Sequence, residues 1–196
     1  AVTFSASGDF LFIATRGNRT VERYDVLRDV MAGTVQDVGY ALSGLATNGN
    51  FVYVDAFLSR ELVELDSTSL GDLVETVRVA TVATEPLAAD VLRGAQLFAD
   101  SADTRIARDG YMACAHCHLD GLDDHRTWDF TDRGEGLRNT IELVGRAGDG
   151  HGPIHWSANF DEIQDFENDI RNAFGGTGLL SDPDWATHSD TIGPSK

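Results

Sequence analysis

Two stretches near the start of the chain alternate apolar and polar residues with the period of a β-strand. Phe10-Leu11-Phe12-Ile13 follows Ser5-Ala6-Ser7-Gly8-Asp9, and 41 positions on Phe51-Val52-Tyr53-Val54 follows Ala46-Thr47-Asn48-Gly49-Asn50. The register continues, with Val21 falling on Leu62 and Asp25 on Asp66. Each unit reads as a glycine turn, an alternating strand, a polar turn and a second strand ending in Asp. The turn glycines reach backbone angles that other residues avoid, and the alternation turns one strand face inward. A repeat near 40 residues with such strands predicts β-propeller blades over residues 1–82, an ordinary β-meander being the alternative. Two blades cannot close a ring, and their open edges invite pairing. Further blades are therefore expected from other sequence or from a partner subunit.

Around Ala83 to Pro86 the pattern changes period. From Pro86 onward Leu87, Val91, Leu92, Ala95, Leu97 and Phe98 recur at near-helical spacing, which predicts a helix and opens a second region over 83–196. Later helices are expected over Leu137 to Gly145 and Asn159 to Phe174. In the second, Asn159 or Asp161 can cap the start, Gly175-Gly176 stop it, and Phe160, Ile163, Phe166, Ile170 and Phe174 form the apolar stripe. The tail from Ser181 to Lys196 is polar and aperiodic.

Composition changes this picture in one respect. The hydrophobic share of 42% suits a chain with a core, but 32 acidic residues against 15 basic ones give a net charge of -17. Lys196 is the sole lysine. The acid is spread along the chain, which implies solubility or steering towards a basic redox partner. No basic patch exists to neutralise phosphates, so nucleic acid is excluded as a partner. No apolar run approaches the ~20 residues that span a bilayer. The chain begins at Ala1 with neither an initiator Met nor a signal peptide, and a processed product or a fragment is expected.

Cys114-Ala115-His116-Cys117-His118 is C-x-x-C-H, the attachment signature of c-type haem. Two thiols spaced in this way reach two vinyl groups of one porphyrin, and the adjacent histidine lies beneath the iron as its axial ligand. Three other uses of the cysteines stay open: a zinc site built with His116 and His125, a thioredoxin-like redox pair, and a structural disulfide. His116, inside the loop, is expected to point away from the iron. No methionine follows His118; Met112 is too near the cysteines to reach the other face, and Met31 lies in the blade region. The histidines available for that face are His125, His151, His155 and His188.

Gly94 with Leu97-Phe98 ahead of the cysteine pair resembles the first helix of class I cytochromes c. Three further stretches, Gly136-Leu137-Arg138-Asn139-Thr140, Gly152-Pro153-Ile154-His155-Trp156 and Phe160-Asp161-Glu162-Ile163, resemble bacterial di-haem cytochrome c peroxidases. The blade units resemble those of bacterial seven-bladed propellers with surface-protein-type repeats, and members of the peroxidase family with a fused propeller exist. The resemblance spans roughly residues 86–180 and implies that His155 binds iron on the distal side and that Arg138 sits near the haem. Asn139-Thr140 stands where the family has Thr-Pro, and Trp156-Ser157 where Asp-Gly is common. Arg133, Arg138 and Arg146 are candidates to pair with propionates. Trp128 and Trp156 are candidates for core packing or contact with the porphyrin. Asp120, Asp123 and Asp124 form either a solvated acidic loop or, as in some relatives, a calcium site.

Together these features predict partial all-β propeller blades followed by a mainly α-helical, class I-like cytochrome c domain. The expected function is electron transfer through one covalent haem c. The alternatives are a hydrogen peroxide reductase drawing on a second haem from elsewhere, and a propeller binding module with the haem as tether or sensor. Attachment of such a haem implies the bacterial periplasm or exterior.

Overall fold

The computed structural model describes residues 1–144 and 152–188 of the 196-residue chain. Contacts divide the chain into two compact units, Ala1–Ala102 and Asp103–Lys196. Among the described residues no helix is long and apolar enough to cross a membrane.

The first unit contains two four-stranded antiparallel sheets in sequential order. Strands β1 (Val2–Phe4), β2 (Phe10–Thr15), β3 (Thr20–Asp25) and β4 (Val30–Val35) make the first, and β5 (Leu42–Asn48), β6 (Phe51–Ala56), β7 (Glu61–Asp66) and β8 (Val74–Ala80) the second. Their registers repeat: Phe10 pairs with Asp25 in one sheet and Phe51 with Asp66 in the other. Gly8 and Gly49 both hold positive φ (79° and 61°) in the turns before those strands, the left-handed region that glycine enters freely. The fold is thus mostly β, and the sheets have the form of propeller blades.

The repeat stops at burial. In the first sheet Phe12, Ala14, Val21, Arg23 and Asp25 are buried, yet their counterparts 41 positions later, Tyr53, Asp55, Leu62, Glu64 and Asp66, are half-buried or exposed. The second sheet buries the opposite alternation, Val52, Val54, Val63 and Leu65. Equivalent sheets stacked in the same sense must do this, because one face of the first meets the other face of the second. The shared core comprises Phe12, Ala14 and Val21 from the first sheet with Val52, Val54, Val63 and Leu65 from the second. Arg23 crosses between them: its guanidinium donates to the carbonyls of Ser67 (3.1 Å), Ser69 (2.7 Å) and Ala32 (2.9 Å). Thr47 Oγ1 donates to the Phe4 carbonyl (3.0 Å), a second tie. The whole of β8 is exposed, Val74, Val77 and Val79 included.

Helix α1 runs from Ala89 to Ala99, three residues after the proline that was expected to open it. Its first turn is uncapped by any side chain, and Leu92 N–H bonds to the Ala88 carbonyl (2.9 Å). It packs within the first unit: Gln96 donates to the Leu58 carbonyl (3.0 Å), and Ser101 N–H reaches the Gly17 carbonyl (3.0 Å). The change of period near residue 83 therefore precedes the change of compact unit.

The second unit differs from the expected helical domain in a definite way. The helix expected over Leu137 to Gly145 is absent from its described part, where Gly136–Asn139 forms strand β10 paired antiparallel with β9 (Thr127–Phe130). Local pairing prevails here, because the intervening Thr131–Arg133 turn and Gly134, at φ 75°, reverse the chain within a few residues. The helix expected from Asn159 to Phe174 forms only over Ile163–Ala173, as a 3-10 turn, a single α-helical turn α2 (Phe166–Asn168) and a π turn (Asp169–Ala173). Gly175, at φ 67°, ends it. Helix α3 (Asp182–His188) follows, in a tail expected to be aperiodic. The unit's close packing comes from chain crossing: Ala107 bridges Gly175, Gly178 N–H bonds to the Arg105 carbonyl (2.9 Å), and Glu167 with Arg171 ties the chain at Leu179–Leu180.

Candidate functional site

Cys114–His116 forms one 3-10 turn. The Cys114 carbonyl accepts the N–H groups of Cys117 (3.3 Å) and His118 (3.0 Å), so the two cysteines and His118 sit on a single tight loop. His116 folds back and caps that loop, its Nδ1 accepting the Ala113 N–H (2.9 Å). This gives His116 a structural role in the loop.

His118 is held by its other ring nitrogen. Its Nδ1 lies 2.8 Å from the Ile141 carbonyl, and since a carbonyl only accepts, this contact places a proton on Nδ1. Burial keeps the imidazole neutral by lowering its pKa, which the Ile141 bond and the charge of Asp124 only partly offset. A neutral imidazole is the form that binds metal.

Both cysteines are free thiols. Burial pushes the Cys117 thiol up, and the charge of Asp124 adds to the shift. A thioredoxin-type pair needs the opposite, a depressed thiol, so the redox-disulfide alternative is disfavoured. Among the described residues no three His, Cys, Asp or Glu side chains gather as a metal-holding group. This removes support from the zinc set of Cys114, Cys117, His116 and His125. The calcium alternative fares no better, since the aspartates are engaged separately. Asp124 accepts bonds from Thr140 Oγ1 (2.7 Å) and Trp128 Nε1 (3.0 Å), and Asp123 pairs with His125 (2.6 Å).

The short segment 139–141 links this loop to His155. The Ile141 carbonyl holds His118, and the Asn139 carbonyl accepts the indole N–H of Trp156 (2.6 Å), the residue after His155. His155 is near enough to His118 that its charge would disfavour one there. A loop closed by Ile154 N–H on the Phe160 carbonyl (2.7 Å) carries it, and His155 itself sits at φ 70°. Its ring rests on Phe160 (centroids 4.2 Å apart) and edge-on to Phe166 (4.7 Å).

The other expected residues lie further out. Arg138, on β10 opposite Trp128, donates to the Leu137 carbonyl (2.9 Å). Met112 and His125 line an open depression of about 620 Å³ beside Cys117, together with Leu119, Leu122 and Trp128. Arg146 and His151 lie outside the described residues, as do the side chains of Arg133 and His188. Sequence reasoning missed Ile141 and Asp169, read Asp124 only as part of an acidic loop or calcium site, and read Asn139 only as part of a motif. Two of these act through backbone carbonyls, for which side-chain identity carries no signal.

No family model matches the chain, and no curated protein matches it. Among solved structures it is similar to the Cps50 (Swd1) beta-propeller domain of Myceliophteria thermophila, with 15% identity and a TM-score of 0.35. The match covers 40% of this chain and 27% of that one, so the chain spans about a quarter of that structure's length.

Proposed function

We propose that this chain is an electron-transfer protein that carries one haem c on Cys114, Cys117 and His118. The observation that carries the reading is the Ile141 carbonyl on His118 Nδ1, because an axial histidine needs that second bond to set its tautomer and ring plane. Two protonated thiols on the same loop suit the group, and an open depression lies against Cys117, lined by Met112, Leu119, Leu122 and Trp128 together with the carboxylates of Asp120, Asp123, Asp124 and Glu142. Once bound, the haem supplies a one-electron couple. The protein's own part would be to hold the His118 ring through the Ile141 carbonyl and to offer His155 as a second ligand, without a methionine to raise the potential. The propeller-like sheets, the periplasmic or exterior location, and recognition of a basic partner by a chain of net charge -17 belong to the same proposal. So does a further blade stacked on the face of Tyr53, Leu62 and Glu64.

The test is covalent attachment. Protein made with haem c attachment machinery should keep its haem after denaturation and give the pyridine haemochrome band of thioether linkage. Cys114→Ala with Cys117→Ala should remove all of it. Release of the haem into acidified organic solvent would end the proposal. A hydrogen peroxide reductase is the second reading, favoured if the ferric iron is high-spin and turns over peroxide.

A further inference from the structure

Ile141 lies beyond Asn139, the last residue of β10. No ladder bond sets the direction of its carbonyl, yet that carbonyl holds the His118 ring at 2.8 Å. A peptide plane turns about the dihedrals on either side of it, so its direction is fixed only when the chain is held on both sides. On one side the Leu143 N–H donates to the Gly121 carbonyl (2.7 Å). On the other, Thr140 Oγ1 donates to Asp124 Oδ1 (2.7 Å) in a half-buried contact. The Asn139 carbonyl adds a bond from Trp156, but that indole is exposed and water competes for it.

Asp124 is itself locked in place. Its Oδ1 also accepts the Arg126 N–H (3.1 Å), and its Oδ2 accepts Trp128 Nε1 (3.0 Å) from β9. Burial would raise the carboxyl, but the bonds from Thr140, Arg126 and Trp128 outweigh it and hold the group below the ordinary carboxylate range. An ionised acceptor makes the stronger hydrogen bond, and this one has both oxygens engaged.

We infer that Asp124 is a positioning residue, acting through the Thr140 hydroxyl to hold the Ile141 carbonyl on the His118 ring. What this does for an axial ligand rests on the proposed haem; the bond itself does not. A histidine whose second nitrogen bonds to a fixed carbonyl keeps one ring plane and is a stronger donor, which favours ferric over ferrous iron.

Two measurements on the full chain test it, with near-ultraviolet circular dichroism read first as a check of folding. In haem-free protein, nitrogen-15 NMR with saturation transfer from water gives the exchange rate of the His118 Nδ1 proton. Asp124→Ala and Thr140→Val should each speed that exchange about tenfold, the worth of one bond to a charged group. The two together should do no more than either alone, and Thr140→Ser should keep the wild-type rate. In haem-loaded protein the same two substitutions should lower the ferric-to-ferrous preference about tenfold, an upward shift of about 59 mV for one electron. Thr140→Val keeps the branched shape and the Asp124 charge, so a charge acting through space would leave it at wild-type values. Wild-type exchange or wild-type potential in Thr140→Val overturns the inference, as do additive effects in the double variant or an unprotected ring proton in the wild type. If Asp124→Ala loses its native dichroism, Thr140→Val against Thr140→Ser decides. Absence of covalent haem overturns the proposed function, and the exchange rates then decide the inference by themselves.

Discussion

The two compact units are ordered by different means. In residues 1–102 a backbone ladder repeats, and the buried alternation of one sheet meets that of the next in a single core. Among the described residues of 103–196 regular elements are few, and order comes from side chains and carbonyls that tie distant points of the chain. Examples are Asp124 with Thr140 and Trp128, Trp156 with Asn139, and Glu167 with Leu179 and Leu180. A packed sheet spreads its stability over many replaceable contacts, while a tied loop concentrates it in a few bonds with fixed geometry. The second arrangement is the one that can aim particular atoms, and the proposed ligands lie there.

The comparison is open to direct attack because all three tryptophans, Trp128, Trp156 and Trp185, lie in the second unit. Tryptophan fluorescence therefore follows that unit, while the β signal in far-ultraviolet circular dichroism follows mainly the first. Leu65→Ala, at a fully buried position of the sheet core, should cost about 2–5 kcal/mol. Arg23→Met strands the carbonyls of Ser67, Ser69 and Ala32 and should cost about 2–4 kcal/mol. Both should lower the dichroism midpoint in urea and leave the fluorescence midpoint in place. Equal shifts of the two midpoints would mean that the units unfold as one.

The same contrast explains what the sequence made legible. Strand alternation, the glycine turns and the repeat from Phe10 to Phe51 are local signals, and the structure pairs both phenylalanines with the aspartates the repeat marked. Which face each sheet buries was not legible, because it depends on the neighbour and not on the strand. The Cys114–His118 loop was visible as a spacing of five residues. Its supports were not, since a carbonyl at Ile141 or Asn139 looks like any other in a sequence. The misplaced helix at Leu137 has the same origin: Leu137, Ile141 and Val144 suit a helical period, but Gly134 and Gly136, both at positive φ, commit the chain to a hairpin before that period can act.

A tied loop should also be brittle where two backbones touch. A Cβ on Gly176 would stand 2.2 Å from the Arg105 carbonyl oxygen and 2.7 Å from Ile106 backbone atoms. Gly176→Ala must therefore push apart the strands that Ala107 and Gly175 bridge, at about 1–3 kcal/mol. This time the fluorescence midpoint should fall and the dichroism midpoint hold. A silent Gly176→Ala would show that the crossing is slack, and that the second unit is not ordered by close ties.

The smallest effect separates the units by the sign of their response to pH. Asp165 is fully buried in the second unit. Burial raises its pKa, and the neighbouring Asp161 carboxyl adds to the rise, against bonds donated by the N–H groups of Asp161 and Glu162. A carboxyl raised on folding is protonated in the native state at a pH where the unfolded chain has already ionised. Its contribution is present at low pH and fades as pH climbs above the ordinary carboxylate range. In the first unit the bond from Arg78 lowers Glu75, and the bond from Arg60 lowers Glu85. Their contribution is present at neutral pH and fades as pH falls through the depressed native values. Asp124 and Asp129 are lowered too, so the second unit's raw profile mixes both signs, and Asp165→Asn isolates the raised one. Asparagine keeps an oxygen for the two N–H groups and has no proton to lose. Between about pH 4 and pH 7, the fluorescence midpoint of wild type should fall relative to that of Asp165→Asn, while the dichroism midpoint of the two proteins stays the same. Parallel fluorescence profiles would mean that Asp165 ionises in the native state as readily as in the unfolded one, and the contrast between the units would then lie in packing alone.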